Sequence, residues 1–306
     1  MRNAFIKTLI KLAEKDGNIY LLTGDLGFSF LEKFSEKFPD RFINCGLAEQ
    51  NMLGVAAGLA LEGKKVYVYS IIPFIIMRCL EQIRNDICYQ NLNVKIIGVG
   101  AGFSYGNLGV THYAIEDIAV LRSLSNIVIL SPADLRETEE LILKSYKLEK
   151  PTYVRLGRKE EKKLSDLNYQ IEIGKPSVLV DGKDGVLIST GNQVGISLEV
   201  VEKLKKLGYS FKLINLSTLK PIDRKLLLKE LEGFNKIFTV EEHNIIGGLG
   251  SLIAEILAES NWQGEFKIIA VPDEYPSEVG SQDYLRKKYQ LDAEQVSNNI
   301  LKRLKN

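Results

Sequence analysis

The segment GLAEQNMLGVAAGLALEGKKVYVYS, residues 46–70, decides the fold of this chain. Residues 53–61 are small and apolar, which suits a tightly packed helix, and residues 66–69 are typical of a strand. Glu49 stands just ahead of that helix, where burial would remove its solvation, so the carboxylate needs a partner or a proton. An ordinary first-turn acid, favoured by the helix dipole, is the alternative. The residue pattern alone leaves both interpretations open.

The first half of the chain repeats this alternation of helix and strand. Further apolar strands are predicted at residues 19–22, 94–99, 127–130 and 152–156. A helix over residues 74–90 separates the strand at 66–69 from the strand at 94–99. This rhythm implies a mostly parallel sheet covered by helices on both faces. We therefore predict a doubly wound α/β domain over residues 1–158.

A charged run, RKEEKK at residues 158–163, then interrupts the apolar pattern. Such runs are usually solvated, so we place a charged linker at residues 159–175. A second, smaller α/β domain is predicted over residues 176–306, again with alternating strands and helices. Its glycine cluster at residues 247–250 opens a helix, which favours close helix–strand packing over phosphate binding.

Composition excludes several classes of protein. The chain has 306 residues, of which 45% are hydrophobic, and Lys+Arg 40 balances Asp+Glu 39. This balance argues against a nucleic-acid or anionic-membrane partner, and no apolar run is long enough to span a membrane. The amphipathic amino terminus does not resemble a signal peptide. Three cysteines without metal-ligand spacing indicate reduced thiols and a cytoplasmic location.

Several segments resemble transketolase-like, thiamine diphosphate-dependent enzymes. Residues 46–70 are similar to the pyrimidine-binding domain of that family, as are PFIIMRCLEQIRND (73–86), THYAIEDIAVLRSLSNIVILSPAD (111–134) and PTYVRLGR (151–158). EEHNIIGGLG (241–250) resembles the C-terminal domain that accompanies it. The resemblance covers essentially the whole chain. It implies a pyrimidine-binding thiamine diphosphate fold followed by a smaller transketolase C-terminal-like domain.

The resemblance gives Glu49 a catalytic role. In this family a carboxyl hydrogen-bonded to the aminopyrimidine ring of the cofactor assists that ring in removing a proton from the thiazolium ring. Phe74, Met77 and Leu80 match positions that line the aminopyrimidine slot, although an ordinary core stripe explains Met77 and Leu80 almost as well. Asp25 matches a family acid near the thiamine, and a turn cap explains it equally well.

The resemblance also implies a site for a phosphorylated sugar. Arg2, Ser29 and Arg158 match residues that hold the substrate phosphate, and arginine suits this because its planar fork makes bidentate contacts to phosphate oxygens. His112 matches a catalytic histidine in the substrate channel. For Arg158 the alternative is that it merely begins the charged run.

Two positions depart from the transketolase pattern. Gly100 stands where transketolases carry a histidine that contacts the donor, and Leu108 replaces an aspartate that reads a sugar hydroxyl. Such sites discriminate through buried hydrogen bonds, so these changes argue against standard pentose-phosphate specificity. Deoxyxylulose-phosphate synthases, which use pyruvate, also lack the first histidine, so a pyruvate or unusual sugar donor stays open.

The diphosphate-binding half of the family is missing from the sequence. The family holds the diphosphate through Mg²⁺ with a Gly-Asp-Gly signature, and no such triplet occurs here. We therefore predict a split enzyme of carbohydrate metabolism, a heterotetramer with homodimer contacts as well. In it an N-terminal partner subunit holds Mg²⁺ and shares thiamine diphosphate with this chain. This chain should contain no metal site of its own.

The predicted function is transfer of a two-carbon ketol or acyl unit to an aldose, expected to be phosphorylated, by the C-terminal subunit of that enzyme. Three alternatives remain open. The chain could be the beta subunit of a 2-oxo acid dehydrogenase, take part in pyruvate-dependent acyl transfer like a deoxyxylulose-phosphate synthase, or be a non-catalytic partner subunit.

Overall fold

Short apolar strands build a parallel sheet in the first half of the chain. The computed structural model describes residues 1–158, 164 and 167–304. Within them the strand order is β5-β6-β4-β3-β1-β2, and every adjacent pair in this run is parallel. The prediction of a mostly parallel sheet is confirmed. The strands are β1 (Ile19–Thr23), β2 (Phe42–Asn44), β3 (Lys65–Ile71), β4 (Val94–Val99), β5 (Val128–Leu130) and β6 (Thr152–Leu156).

Helices connect these strands and cover the sheet. They are α1 (Arg2–Ala13), α2 (Glu32–Lys37), α3 (Glu49–Leu61), α4 (Ile72–Ile76), α5 (Leu80–Gln82), α6 (Asp117–Arg122) and α7 (Leu135–Tyr146). The small apolar segment of residues 53–61 lies within α3, as predicted, and Met52, Leu53 and Ala56 of this helix face the core.

The single helix predicted over residues 74–90 is wrong. The chain forms α4 and α5 and then a π-helical turn at Ile83–Cys88. Ile75, Cys79, Ile83 and Ile87 are all fully buried. A strict four-residue spacing drifts off one face of an α-helix with 3.6 residues per turn, so the wider turn keeps these side chains on the core.

The second half of the chain forms a smaller sheet with strand order β12-β11-β8-β9-β7. Its neighbours are parallel except for β7, which pairs antiparallel with β9. The elements are β7 (Ser177–Val180), β8 (Gly185–Ser189), α8 (Val194–Lys206), β9 (Phe211–Asn215), β10 (Thr218–Lys220), α9 (Arg224–Leu231), β11 (Lys236–Asn244), α10 (Leu249–Ala258), β12 (Glu265–Val271), α11 (Gln282–Lys288) and α12 (Ala293–Leu304).

The glycine cluster at residues 247–250 allows close helix–strand packing, as predicted, because a Cβ at Gly250 would lie 2.4 Å from Ile268 Cγ2 of β12. The buried Glu241 carboxylate accepts hydrogen bonds from the backbone N–H of Leu249 at 2.6 Å and of Gly250 at 2.7 Å. The amino terminus of α10 is therefore satisfied by an acid of the same domain.

Backbone pairing joins the two halves of the chain. β10 leaves the second domain and pairs antiparallel with β5, which makes it the edge strand of the first sheet. The backbone N–H of Ser131 also donates to the carbonyl of Ser217 at 2.8 Å. The first sheet therefore depends on a strand from the second domain.

A buried carboxylate of β11 also holds the glycine-rich loop, residues 98–109, of the first domain. Glu242 Oε1 accepts from the backbone N–H of Phe103 at 2.6 Å, and its other oxygen pairs with Arg286. A Cβ at Gly102 would lie 2.4 Å from Glu242 Oε1, so the lack of a side chain there permits this approach. The second domain thus fixes the position of this loop.

Part of the predicted linker at residues 159–175 is packed against the first domain. Residues 159–163, 165 and 166 of that linker lie outside the described residues. Leu164, Tyr169 and Ile171 are buried in the core that contains Leu141 and Ile142 of α7. The domain boundaries themselves stay a prediction.

Candidate active site

The predicted site residues follow the carboxyl ends of the parallel strands. Asp25 follows β1, Glu49 follows β2, Phe74 follows β3, His112 follows β4 and Arg158 follows β6. The carboxyl ends of parallel strands meet at one edge of a sheet, which is where open α/β folds place ligands. The fold therefore places these five positions along one edge.

Glu49 is the first residue of α3 and is only 3% exposed. Arg78 Nη1 donates a hydrogen bond to Glu49 Oε2 at 3.1 Å, and the Arg78 side chain is 54% exposed. The same guanidinium lies over the ring of Phe74, 4.3 Å from its centroid. Glu49 is thus a nearly buried carboxylate paired with a flat cation that also stacks on an aromatic ring.

His112 continues this row of contacts. Its ring meets that of Phe74 edge to face with centroids 5.0 Å apart, and its Nδ1 lies 3.0 Å from Thr111 Oγ1. Burial lowers the pKa of His112, and the positive charge of Arg78 lowers it further. The imidazole is therefore neutral at pH 7, able to accept a proton at one nitrogen and donate one from the other.

Two arginines approach Tyr105, which lies in the glycine-rich loop. The Arg158 guanidinium lies over the Tyr105 ring, 4.8 Å from its centroid. Burial raises the pKa of Tyr105, and the charges of Arg2 and Arg158 oppose that rise. The Tyr105 ring is 6.2 Å from that of His112. We call Arg2, Tyr105 and Arg158 the two-arginine cluster.

Arg2 has a defined place although it is next to the chain terminus. It is the first residue of α1, and its guanidinium lies 5.4 Å from the ring centroid of Phe30. Burial raises the pKa of Tyr69, and the neighbouring Arg2 opposes the rise. Met1 is buried, and its sulfur lies 3.1 Å from the backbone nitrogen of Gly157. These contacts bring the start of the chain to the end of β6.

Ser29 is placed close to the two-arginine cluster without joining it. It is exposed, its φ is +73°, and its backbone N–H donates to Glu32 Oε1 at 2.8 Å. Ser29 directly precedes Phe30, the ring that Arg2 covers. Among the described residues, no hydrogen bond joins the Ser29 side chain to Arg2 or Arg158.

Asp25 takes part in a turn next to Glu49. Asn44 Oδ1 accepts from the Asp25 backbone N–H, and Asn44 Nδ2 donates to Asp25 Oδ1, both at 3.0 Å. Across this turn, a Cβ at Gly24 would lie 3.5 Å from Glu49 Cγ. The turn-cap explanation of Asp25 is therefore satisfied, and the turn also forms a wall beside Glu49.

Two family descriptions match the chain in sequence order. The pyrimidine-binding domain of transketolase matches residues 1–162, and the C-terminal domain of transketolase matches residues 174–296. The chain belongs to the transketolase family. This confirms the predicted fold and the predicted class of enzyme, a transferase.

Similar proteins share the same extent of chain. A putative transketolase C-terminal section of Methanocaldococcus jannaschii is 38% identical, with 100% of this chain and 96% of the relative aligned. One of the subunits of the apulose-4-phosphate transketolase of Phocaeicola vulgatus is 38% identical over 89% of this chain and 88% of its own. A structure described as a split-gene transketolase, inactive beta4 tetramer, is 36% identical with a TM-score of 0.89 and covers 99% of this chain and 97% of its own. This transketolase-family chain thus corresponds to the C-terminal section of a split transketolase-like enzyme, as predicted.

The other two predicted slot residues of this transketolase chain differ in exposure. Met77 directly follows α4 and is 40% exposed, whereas Leu80 is half-buried and packs against the main core. The core-stripe explanation accounts for Leu80. Met77, which is next to Arg78 in the chain, stays a prediction as a cofactor contact.

The Tyr105 ring occupies the space beside Gly100, the first of the two positions that depart from the transketolase pattern. Gly100 has φ +103°, and a Cβ there would lie 2.4 Å from Tyr105 Cδ2. No side chain fits at position 100 while the ring stays in place. The second departure, Leu108, is exposed.

Sequence reasoning missed two residues of the site, Arg78 and Tyr105. Arg78 lies four residues after Phe74 in the segment PFIIMR, a spacing that indicates a shared helix face. Tyr105 had no such signal, because its contacts depend on the path of a glycine-rich loop. Arg2 and Arg158 were found only through the resemblance.

The described residues contain no group of three or more His, Cys, Asp or Glu side chains placed to hold a metal ion. Within the same part of the chain, no helix combines the length and the apolar character needed to cross a bilayer.

Proposed function

We propose that this chain supplies the pyrimidine-binding half of a thiamine diphosphate site and, with an N-terminal partner subunit, transfers a two-carbon ketol or acyl unit to a phosphorylated aldose. The observation that carries the proposal is the continuous row of contacts from Glu49 through Arg78, Phe74 and His112. It places an acid, an aromatic face and a neutral imidazole in sequence along one sheet edge.

The residues around Glu49 fit the aminopyrimidine end of thiamine diphosphate. The flat, nitrogen-rich guanidinium of Arg78 donates a hydrogen bond to the nearly buried Glu49 carboxylate and stacks on the ring of Phe74. An aminopyrimidine ring could make the same two contacts. Glu49 would hold a ring nitrogen, Phe74 and Met77 would contact the ring, and Asp25 would lie beside it. When bound, the cofactor supplies a nucleophilic carbon for the two-carbon unit.

Each catalytic residue of this chain has a proton to hold or move. Glu49 shares a proton with the nitrogen of the bound ring, and its burial strengthens that hydrogen bond. His112 is neutral, so it accepts a proton from a substrate hydroxyl or donates one to a carbonyl oxygen, which is general acid–base catalysis. The phenyl face of Phe74 keeps water away from the space between them.

The two-arginine cluster is the proposed site for the substrate phosphate. Arg2 and Arg158 both lie near Tyr105, so a dianion beside this ring would meet two guanidinium groups. Charge-assisted bonds of this kind are stronger than neutral ones. Ser29 would complete the site through its exposed hydroxyl.

We infer that a partner subunit supplies the diphosphate and Mg²⁺ contacts. The support is the lack of a Gly-Asp-Gly triplet in the sequence and the extent of two relatives, one named as a C-terminal section and the other as a transketolase subunit. A heterotetramer with homodimer contacts between copies of this chain is the proposed assembly. Its location is proposed as cytoplasmic, since all three cysteines are free thiols.

Reconstitution tests the proposal. The chain is combined with the N-terminal partner, thiamine diphosphate and Mg²⁺, and supplied with a ketose donor and a phosphorylated aldose. We expect a phosphorylated ketose longer by two carbons, and neither subunit alone should form it. Decarboxylation of a 2-oxo acid that feeds a lipoyl acceptor would instead show a 2-oxo acid dehydrogenase. Product formed from pyruvate with release of CO₂ would show a deoxyxylulose-phosphate-synthase-like reaction.

A further inference from the structure

We propose that the Tyr105 hydroxyl is a third anion-binding group, which donates a hydrogen bond to the substrate phosphate held by Arg2 and Arg158. This inference rests on the proposed function, because it assigns a further residue to the same substrate site. It makes Tyr105 a specificity-determining residue that selects acceptors with an anionic end.

The first argument is an unused hydrogen-bonding group. Tyr105 is only 9% exposed as a residue, but its hydroxyl is not among the fully buried unpaired polar atoms, and no hydrogen bond joins it to another of the described residues. Tyr113, in the same region, donates its hydroxyl proton to the carbonyl oxygens of Gly106 at 2.8 Å and of Glu278 at 3.0 Å. The Tyr105 hydroxyl can therefore be reached by a ligand and is free to donate its proton, whereas the Tyr113 hydroxyl is already engaged.

The second argument is the charge around Tyr105. The charges of Arg2 and Arg158 both act on the phenol, and the Arg158 guanidinium covers the ring. Neighbouring cations repel each other unless an anion lies between them. A phosphate group there would be reached by two guanidinium groups and one phenol.

The third argument is that the ring has a fixed position. It packs against the backbone of Gly100, where a Cβ would come within 2.4 Å of it, and the loop that carries it is held by Glu242 through Phe103. Burial raises the pKa of Tyr105, so the hydroxyl stays protonated at neutral pH and acts as a donor. A fixed donor loses little conformational freedom on binding.

The substitution Tyr105→Phe tests the inference because it removes the hydroxyl and keeps the ring. In the reconstituted enzyme we expect KM for a phosphorylated aldose to rise at least about tenfold, as for loss of a bond to a charged group. KM for the same aldose without phosphate should rise much less, so the preference of the enzyme for the phosphorylated aldose should fall. An equal change for both aldoses, or no change for either, would overturn the inference.

A second readout does not need activity. Inorganic phosphate should raise the midpoint of thermal unfolding of the wild-type chain, and it should do so less for Tyr105→Phe. Tyr67→Phe is the matched control, since Tyr67 is a buried tyrosine whose hydroxyl has no partner among the described residues and whose charged neighbour is Asp16. Equal protection of wild type and Tyr105→Phe would contradict the proposal.

Different results would contradict the proposed phosphate site and the proposed role of Tyr105. If the wild-type enzyme does not prefer the phosphorylated aldose, the proposed phosphate site is wrong. If it does prefer that aldose and Tyr105→Phe keeps the preference, only the role of Tyr105 is wrong.

Discussion

Glu49 shows how one residue acquires a role from its surroundings. As a first-turn acid it needs no more than the helix dipole, and its position at the start of α3 agrees with that. Its burial and its bond to Arg78 go beyond what a cap requires. The guanidinium has the flat shape and the N–H donors of an aminopyrimidine, so Arg78 must move for a ring to take its place on Phe74.

Arg78 also adds to the effect of burial in lowering the pKa of His112, which gives a prediction. Burial and the charge of Arg78 both lower the pKa of His112, so Arg78→Ala should raise that pKa toward, but not to, its ordinary value. NMR titration of the isolated chain measures this, because the chain has only two histidines.

The matched control is Arg84→Ala. Arg84 belongs to the same segment, and its guanidinium bonds to Asn85. Its removal should leave the titration of His112 unchanged. An Arg78→Ala midpoint equal to or below that of the wild type would show that the cation does not act on the imidazole.

Among the helices and strands, local patterns predicted the interior strands well. β4 and β6 have the apolar, β-branched runs that define buried strands, and their predicted bounds agree with the structure. β2 has three residues and little burial, so it gave no signal. The broken helix at residues 72–88 required knowledge of which side chains face the core, which periodicity alone does not provide.

Helix α7 carries a buried acid that links three parts of the chain. Glu137 accepts hydrogen bonds from the Ala133 backbone N–H at 2.6 Å, the Tyr169 hydroxyl at 3.0 Å and Asn215 Nδ2 at 2.6 Å. Burial is the main effect on its pKa, and it raises the pKa from 4.5 to about 7. No sequence pattern marked this residue.

This raised pKa predicts a pH dependence of stability. Between pH 4.5 and 7 the folded chain binds a proton at Glu137 that the unfolded chain has released. The contribution of Glu137 to the free energy of unfolding therefore falls as pH rises through this window. Glu137→Gln should remove that part of the slope, as measured by urea unfolding at a series of pH values.

Glu139→Gln provides the control, because Glu139 is an exposed acid two residues along in the same helix. Its variant should retain the wild-type slope. If Glu137→Gln also retained it, Glu137 would not be protonated in the folded chain.

For the molecule as a whole, the order of family motifs predicted two domains, but not how they join. β10 belongs by sequence to the second domain and by pairing to the first sheet. A three-residue strand gives no information about which sheet it joins. Glu242 on β11 likewise reaches the glycine-rich loop through a contact between residues 139 positions apart.

These contacts between domains explain why the site residues of this chain form one unit. The second domain holds the loop that carries Tyr105 and leads to His112, while the first domain supplies Glu49 and Phe74. The row of site residues is therefore built before any partner binds. We infer that this row is one half of a thiamine diphosphate site.

The activity of the reconstituted complex with Glu49→Gln is the decisive test of this inference. Glu62→Gln serves as the control, since Glu62 is an exposed acid at the other end of α3. We expect Glu49→Gln to lower kcat by at least about a hundredfold, in the range typical of general acid–base residues, and Glu62→Gln to stay fully active. A Glu49→Gln complex with wild-type activity would show that Glu49 has no part in activating the cofactor.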